Sequence, residues 1–279
     1  MKRYAKPIFK VFVPCLLAFP MTACPSPGGE GEGEGEGEGN PDVTTFILPG
    51  GVALEMVNIS AGTFMMGSTN GYSDEEPVHQ VTLTQDFQIG QFEITKAQWE
   101  ALMGTAPRSA YDCDLDDPNS PAVLVSWNDA QAFIMALSDR THDTFRLPTE
   151  AEWEYACRAG TTTEYSFGDD VRNLGANAWY EDNTNDAHTV GQKLPNAFGL
   201  FDMHGNVEEL CNDWYSSRYY SSVPGRDPTG PTSGSSLVYR GGSYRDDLND
   251  CRSASRGGVG PDFSNCNIGF RVVRVLPTR

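Results

Sequence analysis

The run Asp202-Met-His-Gly205-Asn-Val207-Glu-Glu209 gathers oxygen donors around a glycine that lets the chain turn tightly. Calcium takes about six to eight hard oxygen ligands from carboxylates and backbone carbonyls, so this run is either a calcium turn or a Gly-Asn turn with solvated acids. Sulfur offers a second chemistry. Beyond Cys15 and Cys24, the chain carries Cys113, Cys157, Cys211, Cys251 and Cys266. That number is odd, so at least one thiol is free or pairs elsewhere. A third group runs from Arg240-Gly-Gly-Ser243-Tyr244 through Asp246 to Cys251-Arg252. Its glycines permit a bend or a close backbone approach beside a hydroxyl, a carboxylate and a thiol. His79, His142, His188 and His204 make no HxxxH or HExxH pair, and there is no Ser-His-Asp order or phosphate loop. His204, within the acidic turn, is expected either to face a groove or to be solvated.

Several elements must position these groups. Residues 52–59 alternate apolar and polar, as do residues 81–94 in two pieces, and both predict strands. Thr95-Lys-Ala-Gln98 is a capping box opening a helix through Trp99 and Leu102. Ser126-Trp-Asn-Asp129 opens a second, with Ala132, Phe133, Ala136 and Leu137 on one face. Thr149-Glu-Ala-Glu152, behind Pro148, opens a third. In that helix Trp153 and Tyr155 predict core packing, and Glu150, Glu152 and Glu154 suit the positive end of the helix dipole. From 160 to 236 Gly, Asn, Asp, Ser and Pro dominate, which predicts irregular backbone. Short strands return at 236–240 and 268–273. This is an α+β pattern unusually rich in loop, and such loops need cross-links or bound ions to hold them.

The ends bear on location. Lys2, Arg3, Lys6 and Lys10 precede an apolar stretch at 11–21, too short to span a bilayer and of signal-peptide length. It ends in Met21-Thr22-Ala23-Cys24, a lipoprotein cleavage pattern that makes Cys24 the expected lipidated residue; ordinary secretory cleavage is the alternative. The expected organisation is a signal peptide at 1–23, a linker at 24–42 built on a Gly/Glu alternation, and one domain at 43–279. The expected location is the bacterial cell envelope, exported and lipid-anchored, at the outer membrane. Export favours disulfides. A net charge of −18 argues against nucleic acid, leaves the lipid as the contact with membrane, and is compatible with cations.

Five motifs in one order carry a family resemblance. They are the segment from Ala53 through Ala61-Gly-Thr-Phe-Met-Met-Gly67, PVHQVTL at 77–83 with QFEIT at 91–95, RLPTEAEWEY at 146–155, FGLFDMHGNVEEL at 198–210, and RGGSYRDD…CRSASR…NIGFRVVR at 240–274. Over residues 52–275 the chain resembles the formylglycine-generating enzymes, also called sulfatase-modifying factors. The resemblance implies a C-type-lectin-like α+β fold with few helices, a small twisted sheet and structural calcium. It implies one calcium site from the side chains of Asp202 and Glu209 with the carbonyls of Gly205 and Val207. A second would use Asn177 and the Ala178 carbonyl, where the following loop is shortened. Active members carry a closely spaced cysteine pair after Gly-Gly-Ser that binds copper(I), a soft ion matched to thiolates, and oxidise a target-peptide cysteine to formylglycine. Here Asp246 stands at the first of those positions. The second is Cys251 in one register. In another register Cys251 is the cysteine bridged to Cys157 at the end of the third helix, and that bridge is expected here. Either register lacks the two-thiolate site, so copper is not expected. Ser243, Asp246 and Cys251 are the candidate catalytic residues and Arg252 a further groove residue. Cys113, Cys211 and Cys266 can supply one more bridge. Two functions stay open: an enzyme of the sulfatase-modifying class, or a diverged oxidase using the same groove, with a peptide or protein substrate; and a non-catalytic, calcium-stabilised module that binds a peptide or glycan at the cell surface.

Overall fold

The computed structural model describes residues 42–107, 113 and 117–277. The expected signal segment, Cys24 and nearly all of the linker lie outside them. Among the described residues no helix is long and apolar enough to cross a membrane.

Among the described residues eleven strands and four helices follow one another in order: β1 Val43–Ile47, β2 Ala53–Ile59, β3 Gly62–Met66, β4 His79–Leu83, β5 Phe87–Gly90, α1 Lys96–Met103, α2 Trp127–Thr141, β6 Phe145–Arg146, α3 Glu150–Arg158, α4 Leu174–Asn177, β7 Glu208–Trp214, β8 Leu237–Arg240, β9 Arg256–Val259, β10 Ile268–Gly269 and β11 Val273–Val275. One antiparallel sheet has the order β1-β2-β5-β11-β6. A second has the order β10-β7-β8-β9, and β3 pairs with β4.

The middle of the first sheet is buried on both faces, which explains β2 and β5. In β2, Leu54 and Met56 join a core built with Trp99, Phe133 and Phe270 from around α1 and α2. The alternate residues Val57 and Ile59 join a second core with Trp153 of α3. Register extends that second face across the sheet, since Val57 lies opposite Ile89 and Ile89 opposite Val273. A strand places successive side chains on opposite faces, so one element serves both cores.

The predicted capping box closes, and the other two predicted helix starts form boxes as well. Thr95 Oγ1 accepts from Gln98 N at 3.2 Å and Gln98 Oε1 from Thr95 N at 3.0 Å. Ser126 with Asp129 and Thr149 with Glu152 repeat the exchange. Each cap is worth about 1 kcal/mol. The acids of α3 do more than suit a dipole. Glu150 holds Arg256 at 2.6 and 2.7 Å, Glu152 holds Arg146 at 2.5 and 2.6 Å, and Glu154 pairs with both Arg158 and Arg240. The pairs to Arg240 and Arg256 are buried and tie the helix to the second sheet, and the part-exposed pair to Arg146 ties it to β6 of the first.

Two segments depart from the sequence reading. Within the stretch expected to be irregular, β7 is a strand of seven residues. Its acids hid it, because strands usually exclude Glu and Asp, but here Arg271 neutralises Glu209 from across the fold. The strand expected at 268–273 is two: β10 in the second sheet and β11 in the first. Arg271 sits at the crossing, donating to Gly90 O and Phe201 O at 3.0 Å each.

The disulfide joins Cys113 to Cys266, with Cα atoms 5.3 Å apart. The expected Cys157–Cys251 bridge is absent, and both are buried free thiols, as is Cys211. The two sulfurs belong to different packing environments. Cys157 sits with Trp153 and Val238, whereas Cys251 sits with Tyr165, Leu174 and Ala178. The His204 ring contacts the Cys157 sulfur through Nε2 and the Cys251 backbone through Nδ1.

Candidate functional site

The bend after β8 depends on glycine. Gly241 and Gly242 have φ of 98° and 66°. A Cβ on Gly241 would lie 3.0 Å from the Trp153 ring, and one on Gly242 would lie 2.9 Å from Cys251 Sγ. Packed that closely, the bend turns Ser243 inward. Ser243 is fully buried, donates to Asp246 Oδ2 at 2.5 Å, and accepts from Asn267 Nδ2 at 3.3 Å and Arg245 N at 3.2 Å. The structure therefore brings Ser243 and Asp246 together, with the hydroxyl beneath the carboxylate rather than at an open surface.

A cavity of about 80 Å³ opens beside this bend. Its carboxylates are Glu208 at the start of β7, Asp246 and Asp250. Burial pushes the Glu208 carboxyl up to about 8, with Asp246 and Asp250 adding to the rise. Asp246 is also raised by burial, against the pull of Ser243. Sequence reasoning missed Glu208 and Asp250. Asp250 carried a usable signal, since it stands four positions after Asp246 on the same loop; Glu208 carried none without the strand that buries it.

Cys251 does not line this cavity. Its sulfur lies beneath Gly242, and burial raises the thiol well above the ordinary range, with Asp246 and Asp250 adding to the rise. Cys157 is pushed up to about 12, chiefly by burial. Neither offers a thiolate near neutral pH. Arg252, expected in the groove, is buried in ion pairs with Glu75 at 2.6 Å and Glu164 at 3.4 Å. His204 is neither solvated nor groove-facing. It is 2% exposed, its Nδ1–H donates to Cys251 O at 2.8 Å, and its Nε2 accepts from Ser166 N at 3.0 Å. Burial lowers it to about 4, so the ring is neutral and structural.

The oxygen-rich turn is interior. Asp202 Oδ2 accepts from Gly191 N at 2.7 Å, while its Oδ1 is buried with no hydrogen-bond partner. Glu209 accepts from Arg271 at 2.6 and 2.5 Å and from Trp153 Nε1 at 2.7 Å. Sequence reasoning missed Glu93, which accepts from Asn206 Nδ2 at 2.7 Å and Val207 N at 3.1 Å. An isolated acid in an apolar stretch gave no cue to it. Burial raises Asp202 to about 6; burial raises Glu93 further, with Asp202 and Glu209 contributing. Gly205 fits only as glycine, because a Cβ would press on the Trp179 carbonyl. Asn177 Nδ2 donates to Asn173 O at 2.8 Å, and the Ala178 carbonyl accepts from Asn183 Nδ2 at 2.9 Å. Among the described residues no three His, Cys, Asp or Glu side chains form a metal-holding group by themselves, so an ion here would also need backbone carbonyls.

A larger cavity of about 300 Å³ is lined by Phe87, Arg146, Asp227 and Leu276 among others, and by none of the residues above. Its one guanidinium is already held by Glu152, so the smaller cavity carries more unpaired chemistry.

Residues 50–276 match the sulfatase-modifying factor enzyme 1-like domain. The chain is 34% identical to a formylglycine-generating enzyme of Streptomyces coelicolor over 77% of this chain and 87% of that protein. Among solved structures it is similar to the Treponema denticola variable protein 1, with a TM-score of 0.77 and 29% identity over 85% of this chain and all of that one. It is similar also to PvdO from Pseudomonas aeruginosa, with a TM-score of 0.73, 29% identity and the same coverage. With its loop-rich α+β architecture and its motifs in family order, the chain belongs to the sulfatase-modifying factor (formylglycine-generating enzyme-like) family.

Proposed function

We propose that this chain is an exported, lipid-anchored member of the family whose groove binds a peptide segment of a protein partner without the two-thiolate copper chemistry. The observation that carries the reading is the surroundings of Cys251. Copper(I) calls for converging thiolates, but this sulfur is buried beneath Gly242, protonated by its surroundings, and faced by Asp246 where the resemblance would need a second thiol. The basic, apolar and Ala-Cys sequence of the first residues supports export and acylation at Cys24. The test combines the mature chain with copper(I), oxygen and a Cys-x-Pro-x-Arg peptide, followed by mass spectrometry. An unchanged cysteine is expected, and a formylglycine product refutes the reading. Intact mass of the exported chain reports the lipid on Cys24.

Calcium belongs to the same proposal. Glu93, Asp202 and Glu209 are buried around a single guanidinium, Arg271, and Asp202 Oδ1 has no donor. Buried charge needs a counter-charge, and a hard cation suits carboxylate and carbonyl oxygens. Asp202 and Glu209 with the carbonyls of Gly205 and Val207 would hold it. Asn177 with Ala178 is the poorer set, because Asn183 already occupies that carbonyl.

A further inference from the structure

The cavity at the Gly241-Gly242 bend gathers three acids, Glu208, Asp246 and Asp250, on one wall. Glu208 is 8% exposed and lines the cavity, yet among the described residues its carboxylate has no hydrogen bond and no ion pair. Asp246 and Asp250 share the cavity wall. Two guanidiniums border the same space, but both are engaged from behind, with only the Arg240 Nε left without a hydrogen-bond partner among the described residues. Arg240 is paired with Glu154, and Arg256 is gripped at two points by Glu150 at 2.6 and 2.7 Å. What remains facing the cavity is three acids short of counter-charge, and a cation entering it would favour the ionised form of Glu208, which burial opposes.

The cavity is small. At about 80 Å³ it suits a charged side-chain head better than a nucleotide. Tyr239 adds an aromatic ring to the lining, a surface favourable to cations. No metal-holding trio of side chains is present among the described residues, so an organic cation fits better than a bare ion.

We infer that this cavity receives the ammonium or guanidinium head of a lysine or arginine carried by the bound peptide, with Glu208 as its anchoring carboxylate and Asp246 and Asp250 as flanking ones. The inference rests on the peptide-binding reading of the groove, and it deepens that reading by naming a basic side chain as what the groove selects. The acidic wall discriminates by sign: a basic head gains charge-assisted hydrogen bonds, and an acidic one meets repulsion.

The experiment uses the mature chain and fluorescent peptides Gly-Ser-Xaa-Ser-Gly, with Xaa as lysine, arginine, norleucine or glutamate, read by anisotropy. In parallel, n-butylammonium is titrated in a thermal-shift assay. Expected is binding of a basic peptide at least about tenfold tighter than norleucine, with the glutamate peptide weaker still. Glu208→Gln and Asp250→Asn, each confirmed folded by circular dichroism, should erase most of that preference and the n-butylammonium shift. Whichever basic peptide binds more tightly identifies the preferred head group. Equal binding of lysine, arginine and norleucine peptides overturns the cation site while leaving peptide binding standing. If no peptide binds, the groove reading fails. In that case an n-butylammonium shift lost in Glu208→Gln still supports the cavity assignment, and the absence of any shift overturns it.

Discussion

Arg240 gives the sharpest test of how this fold is held. Its side chain is fully buried, it ion-pairs with Glu154 of α3, and it donates to Ser253 O, Ala254 O and Ser255 O at 2.9, 2.8 and 2.7 Å. One guanidinium thus fastens the helix to the loop that carries Cys251 and to the start of β9. Although burial pushes the Glu154 carboxyl upward, Arg158 and Arg240 outweigh it and hold the group below the ordinary range. Arg240→Met keeps much of the volume and removes the charge. Breaking a buried pair costs about 3–5 kcal/mol. Glu154 would keep Arg158 and the Gly67 N–H, which moderates that cost, while three carbonyls would lose donors at ~1–3 kcal/mol for each one left buried and unpaired. Local relaxation and water entry offset part of this, so the expected loss is about 4 kcal/mol. At ~2–4 °C per kcal/mol for a domain of this size, Tm should fall by about 8–16 °C. Arg240→Lys keeps the charge without the planar fork and should fall between wild type and Arg240→Met. Urea unfolding followed by tryptophan fluorescence measures both variants. Arg240→Met within about 1 kcal/mol of wild type would refute the network as a source of stability. A lysine variant as damaged as the methionine variant would show that the fork, and not the charge, is what matters.

Calcium should raise Tm and chelation lower it, by about 2.7 kcal/mol of stability at a calcium level ~100 times the dissociation constant; Asp202→Asn should abolish the response, and identical melting curves with and without chelator would count against the ion. Cys157, Cys211 and Cys251 should resist iodoacetamide at pH 8 in the folded chain and react once it is unfolded, read by mass, whereas rapid native labelling would contradict their burial. The Asp213 carboxyl accepts from Glu150 N at 3.0 Å and is raised well above its reference of 3.8, first by burial and then by Glu150. Between those two values the folded chain holds the extra proton, so Asp213 makes stability fall as pH rises through that window. Asp213→Asn should be the more stable form at pH 8 and lose its advantage toward pH 4, and an advantage unchanged across that range would disprove the assignment. Replacing Cys113 and Cys266 together with alanine should cost about 3–5 kcal/mol, since the bridge closes a separation of 153 residues; a loss below ~1 kcal/mol by urea unfolding would contradict that role.

Local signals were legible and distant charge partners were not. The three capping boxes are written in three- and four-residue spacings, so α1, α2 and α3 start where Thr95, Ser126 and Thr149 say they do. β2 was equally plain, because its alternation serves two cores at once. What sequence alone could not supply is which arginine finds which acid. Glu150 meets Arg256 and Glu154 meets Arg240 across separations of 106 and 86 residues. Without those partners the α3 acids read as surface residues at a helix start, and β7 reads as a polar loop. The same limit affected the cysteines. Cys157 and Cys251 both approach His204, one by its sulfur and the other by its backbone carbonyl, and each is a free thiol.

The candidate site shows why the thiol drew attention and the carboxylates did not. Cysteine is rare and chemically loud, so Cys251 stood out, yet its burial silences it. Glu208 is one acid in a chain rich in them, and only the fold gives it meaning. β7 delivers it to a cavity wall, the Gly241-Gly242 bend brings Asp246 to the same space, and Glu150 and Glu154 have already claimed the neighbouring arginines. Arginines committed to the scaffold cannot also balance the cavity. The ion pairs that stabilise α3 are therefore the reason the acids of the groove lack a committed counter-charge, and substitutions that free Arg240 or Arg256 from their glutamates should weaken binding of a basic peptide even though neither glutamate lines the cavity. Glu150→Gln tests this with the anisotropy assay: reduced affinity for the basic peptides with unchanged norleucine binding is expected, and unchanged affinity for all of them would separate the scaffold network from the site.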